Sequence, residues 1–164
     1  INQMGVLYGC YFFTPAFRKQ GFGHIINIAS AAGFANAPRM SPYNMTKAAV
    51  ISLSESLYYE FEPLGIKISV VMPTFIKTNI MSNARGSQAA IKAGRKLLDK
   101  TSFLPDDAVM EMLKKAGKGK LHSVLPRQAR FSFWLKRHFP WLFRRTLLNL
   151  ATKQIERAEA RAKK

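Results

Sequence analysis

The first half of the chain alternates between helix-like and strand-like hydrophobic patterns. Residues 2–19 carry apolar and aromatic side chains at helical spacing, and residues 43–61 repeat that spacing over a longer stretch. Residues 24–29 and 67–72 are short, rich in β-branched side chains and bounded by turn residues, which is typical of buried strands. Because a strand, a long helix and a second strand follow one another with short connections, we predict a βαβ unit with parallel strands.

The second half has a weaker pattern and more polar positions. Residues 82–102 are polar and basic, which indicates part helix and part loop. A helix is predicted from Pro105 onward, and a third short strand at residues 121–125. Residues 127–164 have a helical tendency that Pro140 interrupts.

The positive charge is concentrated in the second half. The formal net charge is +17, from 26 Lys and Arg against 9 Asp and Glu. Residues 1–80 hold 6 basic and 3 acidic side chains, whereas residues 81–164 hold 20 and 6. We therefore expect a packed domain in the first half and a basic surface or tail in the second, for which an acidic partner must be considered.

Cysteine content and hydropathy exclude several classes of protein. Cys10 is the single cysteine, so we expect neither an internal disulfide framework nor a cysteine-rich zinc site. No apolar run reaches the length of about 18 residues that a membrane-spanning helix needs. No secretory signal pattern is visible, so a reducing, cytoplasmic location is expected, with association with a membrane surface left open.

Tyr43 and Lys47 are the clearest candidates for chemistry. Their i, i+4 spacing places them on one face of the predicted helix, and Pro42 suits its first turn. A phenol has an ordinary pKa of about 10 and moves protons poorly at neutral pH, but a nearby ammonium and the positive end of a helix favour the phenolate. The same spacing is common in surface pairs, so the pair alone does not establish catalysis.

Two further polar residues stand where ligands bind in such folds. Ser30 follows the first predicted strand, and open parallel sheets bind ligands at the carboxyl ends of their strands. A hydroxyl there is suited to polarising a carbonyl. Asn2, on the first predicted helix, offers an amide that can order a water. Taken singly, Ser30 is better explained as an ordinary strand-end serine and Asn2 as an ordinary helix-end amide.

In this context the sequence resembles the short-chain dehydrogenase/reductase family. The resemblance rests on ordered motifs with consistent spacing at residues 1–5, 23–33, 42–49 and 65–73, followed by Thr78. It covers residues 1 to about 80 well and a later stretch more loosely. It implies an α/β, Rossmann-like, doubly wound parallel sheet and oxidoreduction between an alcohol and a carbonyl with NAD or NADP.

The resemblance also implies roles for the four candidates. Tyr43 would be the general acid/base, and Lys47 would favour its phenolate and hold the nicotinamide ribose. Ser30 would hydrogen-bond the reacting oxygen, and Asn2 would hold the water of a proton relay.

Cofactor contacts are implied as well. Besides Tyr43 and Lys47, the positions that would contact the nicotinamide half of the cofactor are Pro73, Ile76 and Thr78. The family usually has glycine after this proline, whereas this chain has Thr74.

The family's glycine-rich loop, which binds the pyrophosphate, has no counterpart in this sequence. We therefore expect residues 1–126 to be the catalytic, C-terminal part of a Rossmann-like domain whose cofactor half lies upstream. On this expectation the chain alone binds no dinucleotide tightly and is inactive. It also leaves the edge of the strand at residues 24–29 open.

Residues 127–164 are predicted to form a basic, aromatic, helical tail. Trp134 and Trp141 lie there, interleaved with cations such as Arg144 and Arg145. Aromatic and cationic side chains together suit an anionic membrane surface, but they also suit packing on the domain or a partner subunit. Binding of nucleic acid has no motif to support it.

These features leave two functions open. The first is an oxidoreductase that acts on a small alcohol or ketone, with a lipid-like substrate suggested by the tail. The family resemblance implies that it forms a homo-oligomer through the helices at 2–19 and 43–61. The alternative is a non-catalytic module that binds a membrane or lipid surface on a dehydrogenase-like scaffold.

Overall fold

The computed structural model describes residues 1–82, 84 and 88–162, without the side chains of residues 89, 90, 158, 159, 161 and 162. Part of the loop predicted within residues 82–102 and the last two residues of the tail therefore lie outside the described residues.

The first half folds as the predicted βαβ unit preceded by a helix. Helix α1 spans Met4–Gln20, and strand β1 spans Gly23–Ile28. The long helix α3, Ser41–Phe61, then leads into strand β2, Ile66–Pro73. The sequence did not predict the short helix α2, Ala32–Ala35, which stands between β1 and α3. It also did not predict two one-turn 3-10 helices, Glu62–Leu64 and Arg127–Ala129.

The second half adds one strand and four helices to the described structure. Helix α4 covers Gln88–Asp99, and helix α5 begins at Pro105, as predicted, and runs to Gly117. Strand β3 is His122–Leu125. The C-terminal region forms helix α6, Arg130–His138, and helix α7, Pro140–Ala162, so the expected interruption at Pro140 is confirmed.

The three strands form one parallel sheet in the order β1-β2-β3. Ile28 pairs with Val71, and Pro73 pairs with Leu125, so the carboxyl ends of all three strands lie at one edge of the sheet. Within the described structure β1 has a neighbour only on its β2 side. The predicted parallel α/β architecture is thus confirmed, with the site expected at this edge.

The main core lies between the sheet and the helices α2 and α3. It is centred on fully buried aliphatic side chains of β2 and α3, namely Val50, Val70 and Met72. Phe34 of α2 joins this core, and its ring meets that of Phe133 of α6 edge-on at 5.0 Å between centroids. Helix α6 is thereby attached to the segment that follows β1.

One expected position was wrong in detail. Asn2 was placed on the first helix, but the helix begins at Met4 and Asn2 lies in the turn before it. The amide of Gly5 already donates to the carbonyl of Ile1 at 3.1 Å, so helical hydrogen bonding starts around Asn2 although the regular helix starts later.

Candidate active site

Ser30 is held at the end of β1 by bonds that extend the sheet. The amide of Ala29 donates to the carbonyl of Val71, and the amide of Ala31 donates to that of Pro73, each at 2.8 Å. Ser30 Oγ accepts a hydrogen bond from the amide of Ala32 at 3.2 Å and lies 3.4 Å from Pro73 O. The half-buried hydroxyl is therefore fixed between the ends of two parallel strands.

Tyr43 and Lys47 stand in the first two turns of α3. Lys47 Nζ lies 5.9 Å from the centroid of the Tyr43 ring, so the spacing seen in the sequence does bring the two side chains together. Lys47 Nζ also donates to the carbonyl oxygen of Ile28 at 3.1 Å. Since Ile28 is two residues before Ser30, this bond joins the Tyr43–Lys47 pair to the strand end that carries the serine.

Burial affects the ammonium of this pair. Lys47 is half-buried, and loss of solvation lowers the pKa of its ammonium from the ordinary value for lysine. An ammonium that is partly stripped of water interacts more strongly with a neighbouring phenolate than a fully solvated one does.

Gly33 allows α2 to approach α3 at Lys47. A Cβ at this position would lie 2.6 Å from the backbone carbon of Lys47 and 2.7 Å from its backbone oxygen, closer than real contacts allow. Sequence reasoning used Gly33 only as part of a motif and missed this role. The available signal was a glycine shortly after the end of a strand and before a long predicted helix, since glycine is common where two backbones approach closely.

Asn44 was also missed. It is buried in α3, and its Nδ2 donates to the carbonyl of Ala37 at 2.8 Å. The loop so anchored contains Asn36 and Arg39, both with a left-handed backbone (φ 55° and 65°). Asn44 therefore fixes the entrance to α3, on which the position of its neighbour Tyr43 depends.

The three residues expected to contact the cofactor differ in their connection to Ser30. Pro73 is the last residue of β2 and receives the bond from Ala31, so it is beside Ser30. Ile76 is half-buried and Thr78 exposed in the segment that follows β2. No hydrogen bond within the described ranges joins Ile76 or Thr78 to Ser30, Tyr43 or Lys47.

Asn2 is not brought into this group by a bond. Its side chain is exposed in the turn before α1, and it makes no hydrogen bond to another described residue. The structure therefore connects Ser30, Tyr43, Lys47 and Pro73 at the carboxyl ends of β1 and β2. Among the described residues, no hydrogen bond connects Asn2 to them.

A fixed hydroxyl, a phenol and a partly desolvated ammonium at the ends of parallel strands are suited to proton transfer at a bound oxygen. The family model described as short chain dehydrogenase matches residues 1–89 of this chain. The chain belongs to the short-chain dehydrogenase family. The predicted family resemblance is thus confirmed.

Individual relatives and solved structures are also similar to this chain. A protein named 11-beta-hydroxysteroid dehydrogenase A from Sesamum indicum is 29% identical over 158 residues, which cover 88% of this chain and 43% of that protein. A short-chain dehydrogenase from Sphingobium yanoikuyae, solved in complex with NADPH, is 26% identical with a TM-score of 0.67, covering 86% of this chain and 53% of that one.

The fold extends to more distant members. A short chain dehydrogenase/reductase from Burkholderia phymatum, solved in complex with NAD, superposes with a TM-score of 0.76 at 24% identity, over 87% of this chain and 57% of that chain. The chain spans less than half the length of the curated relatives it matches, 43% in the case of the sesame protein.

Proposed function

We propose that the protein interconverts an alcohol and a carbonyl with NAD or NADP, and that Tyr43 is its general acid/base. The observation that carries this proposal is the position of Lys47 Nζ, 5.9 Å from the Tyr43 ring and bonded to Ile28 at the strand end that leads to Ser30. The same ammonium thus lies near the phenol of Tyr43 and is bonded to the end of β1, and substrates of this fold class bind at the carboxyl ends of the strands.

Each residue has a definite part in this reaction. In the direction of reduction, the Tyr43 hydroxyl gives its proton to the carbonyl oxygen of the substrate, and the Lys47 ammonium stabilises the phenolate left behind. Ser30 Oγ donates a hydrogen bond to the same oxygen. When bound, the nicotinamide supplies the hydride in reduction and accepts it in oxidation.

The residues present fit the nicotinamide half of the cofactor. A lysine ammonium has three donors, and Lys47 uses one of them on Ile28, so it can also hold a ribose hydroxyl. Pro73 ends the neighbouring strand β2, and Ile76 and Thr78 lie in the segment that follows it. The family relative solved with NADPH supports this assignment, and the choice between NAD and NADP stays open.

Thr74 does not conflict with the proposal. It replaces the usual glycine, yet its backbone is outside the left-handed region, and its amide donates to Leu125 O at 2.8 Å. The turn after β2 therefore forms without glycine.

Asn2 is proposed to hold the water of the proton relay. This role needs the amide to reach the site through a water, because its side chain has no direct bond there. Asn2 lies in the turn before α1, and its side-chain amide is exposed, so a water can reach it.

For the substrate we propose an apolar alcohol or ketone. The sesame relative's name refers to a hydroxysteroid, which supports bulky apolar substrates as the first class to assay.

We also propose a homo-oligomer through α1 and α3. Both helices expose large apolar side chains, including Tyr11 and Phe12 of α1 and Met45 of α3. Between them runs an apolar groove of about 370 Å³ that Leu7, Leu53 and others line. Burial of these apolar surfaces against a second copy would stabilise the oligomer, because transfer of apolar surface out of water is favourable.

The decisive experiment compares Tyr43→Phe with Tyr59→Phe, which changes an exposed tyrosine on the same helix. Both are made in the gene product together with any sequence that precedes this chain, and turnover is measured on apolar ketones and alcohols with each cofactor. We expect Tyr43→Phe to lose roughly 10²- to 10⁴-fold in kcat, as is typical for loss of a general acid/base, and Tyr59→Phe to stay near wild type.

Equal activity of wild type and Tyr43→Phe would overturn the proposed role of Tyr43. Turnover on no substrate with either cofactor would overturn the proposed reaction and favour the non-catalytic alternative. Circular dichroism of each variant verifies that the fold is kept.

A further inference from the structure

Helix α7 carries apolar side chains on two different faces. The side chains of Phe143, Leu147 and Ala151 follow one another at helical spacing and face the protein, with Phe143 only 7% exposed. Residues 141, 148 and 155 share a second face, about 100° around the helix from the first. There Trp141 is 59% exposed, Leu148 67% and Ile155 57%. One face packs on the protein, and the second presents large apolar side chains to water.

Cations border the part of this face that carries Trp141 and Leu148. Arg144 and Arg145 are exposed and lie three and four residues beyond Trp141, on the same side of the helix. The sequence contains no Asp or Glu between Glu111 and Glu156, a stretch with 11 Lys and Arg. Around Trp141 and Leu148 the surface therefore combines large apolar side chains with positive charge that no neighbouring carboxylate in the sequence compensates.

Helix α6 adds a second exposed aromatic group. Phe131 and Trp134 are stacked at 5.8 Å between ring centroids, and Trp134 stacks on His138 at 5.1 Å. Trp134 also contacts Phe139, at 5.5 Å, in the connection to α7. Phe131, Trp134 and Phe139 are all exposed to solvent while their rings contact one another.

We propose that α6 and α7 bind the interface of an anionic lipid bilayer. Tryptophan rings favour the boundary between headgroups and acyl chains, aliphatic side chains favour the acyl chains below, and arginine binds anionic headgroups. No described helix is long and apolar enough to cross a membrane, so the helices would lie on the surface.

Charge makes a second copy of this chain a poorer occupant. A two-fold interface sets the same patch against itself, so Arg144 and Arg145 would meet like charges with no carboxylate of the same stretch to pair with. Single-stranded nucleic acid would stack its bases on the aromatic rings and bind the cations through its phosphates. Leu148 and Ile155 would contribute nothing to this binding, because aliphatic side chains cannot stack on bases as rings do.

The experiment is flotation of the purified protein with two kinds of vesicle, one of phosphatidylcholine alone and one with phosphatidylglycerol added. Three double variants are compared with wild type. Trp141→Ser with Leu148→Ser removes the apolar face, and Arg144→Glu with Arg145→Glu reverses the charge beside it. Arg95→Glu with Lys96→Glu makes the same change in net charge on the exposed surface of α4 and is the matched control.

We expect wild type and the α4 control to float with the anionic vesicles and not with the neutral ones. Each α7 variant should bind at least about tenfold more weakly, and added salt should weaken binding of wild type. Because the substituted side chains are exposed, thermal unfolding should be unchanged.

Three results would overturn the proposal: absence of wild-type flotation, equal weakening by the α4 control, or full binding by both α7 variants. Loss of a dimer in the Trp141 and Leu148 variant, in the absence of vesicle binding by wild type, would identify the face as an interface between copies instead. Because flotation does not depend on turnover, it separates this proposal from the proposed reaction.

Discussion

Lys47 Nζ donates a hydrogen bond to the carbonyl oxygen of Ile28 at 3.1 Å, and so joins the helix that carries Tyr43 to the strand that leads to Ser30. Two residues 19 positions apart in sequence thereby bring the candidate catalytic groups to one edge of the sheet. Substitutions at Lys47 should therefore affect activity and stability to different extents.

Replacement of Lys47 by methionine should lower activity far more than stability. The variant removes the ammonium that supports the phenolate, so kcat should fall by about 10²-fold or more. The free energy of unfolding should fall by no more than about 1 kcal/mol, because Ile28 is exposed and water can replace the lost donor. Steady-state kinetics and urea unfolding measure the two effects.

Lys47→Arg is the matched variant, since it keeps the charge but changes its geometry. It should recover part of the activity. A methionine variant that loses several kcal/mol of stability while the arginine variant is fully active would show that Lys47 acts mainly in holding the fold.

Gly33→Ala should destabilise the protein by about 1 to 3 kcal/mol. Its Cβ would stand 2.6 Å from the backbone of Lys47, which cannot swing aside as a side chain could. Urea unfolding gives the change, and an accompanying loss of activity is expected because Lys47 moves with α3.

Gly9→Ala is its control. Gly9 lies within α1 with no atom within 4 Å of the added Cβ, so alanine should be neutral or stabilise by up to about 1 kcal/mol. A Gly33→Ala protein as stable as wild type would contradict the close approach of α2 and α3.

Asn27 and Ser54 should be energetically coupled. Both side chains are buried, and Asn27 Nδ2 donates to Ser54 Oγ at 3.0 Å, linking β1 to α3 behind the site. Each single change to alanine should cost about 1 to 3 kcal/mol, because it leaves a buried polar partner with fewer bonds.

A double-mutant cycle by urea unfolding tests this coupling. The double variant should cost less than the sum of the single ones by at least about 0.5 kcal/mol. Strict additivity would mean that the hydrogen bond contributes no measurable stability.

His24 should make the protein less stable as the pH falls. Its Nε2 lies 2.9 Å from Ser69 Oγ, and Ser69 donates to the carbonyl of Lys120, so the neutral ring supplies the donor. Burial, and then the charge of Lys67, lower the pKa of His24 below the ordinary 6.5.

The unfolded chain therefore binds the proton more readily than the folded one does. The contribution of His24 to stability is complete above pH 6.5 and is lost as the pH falls through the lowered pKa of the folded state. In His24→Gln, which keeps a donor but does not titrate, the decrease in the free energy of unfolding between about pH 7.5 and 5 should be smaller. His138→Gln, at an exposed position of α6, is the control, and an equal change in both variants would contradict the assignment.

Several parts of the site were accessible from the sequence because they depend on local chemistry. The i, i+4 spacing of Tyr43 and Lys47 is a property of any helix, and Pro42 marks where that helix begins. The placement of Ser30 followed from the strand before it. Asn44 and Gly33 were missed, because an amide or a glycine in the sequence does not show which backbone it will face.

The sequence by itself determined the order of helices and strands, the parallel sheet and the family, since hydrophobic periodicity and motif spacing are local properties. Only the tertiary structure decided that Lys47 bonds Ile28, that Ser30 is fixed beside Pro73, and that Asn2 lies in the turn before α1. Such contacts join segments that are distant in the chain, and they depend on the register of the strands and the packing of the helices over them. The same holds for α7, whose apolar residues were visible in the sequence, whereas the face that packs and the face left to solvent were decided by how the helix docks.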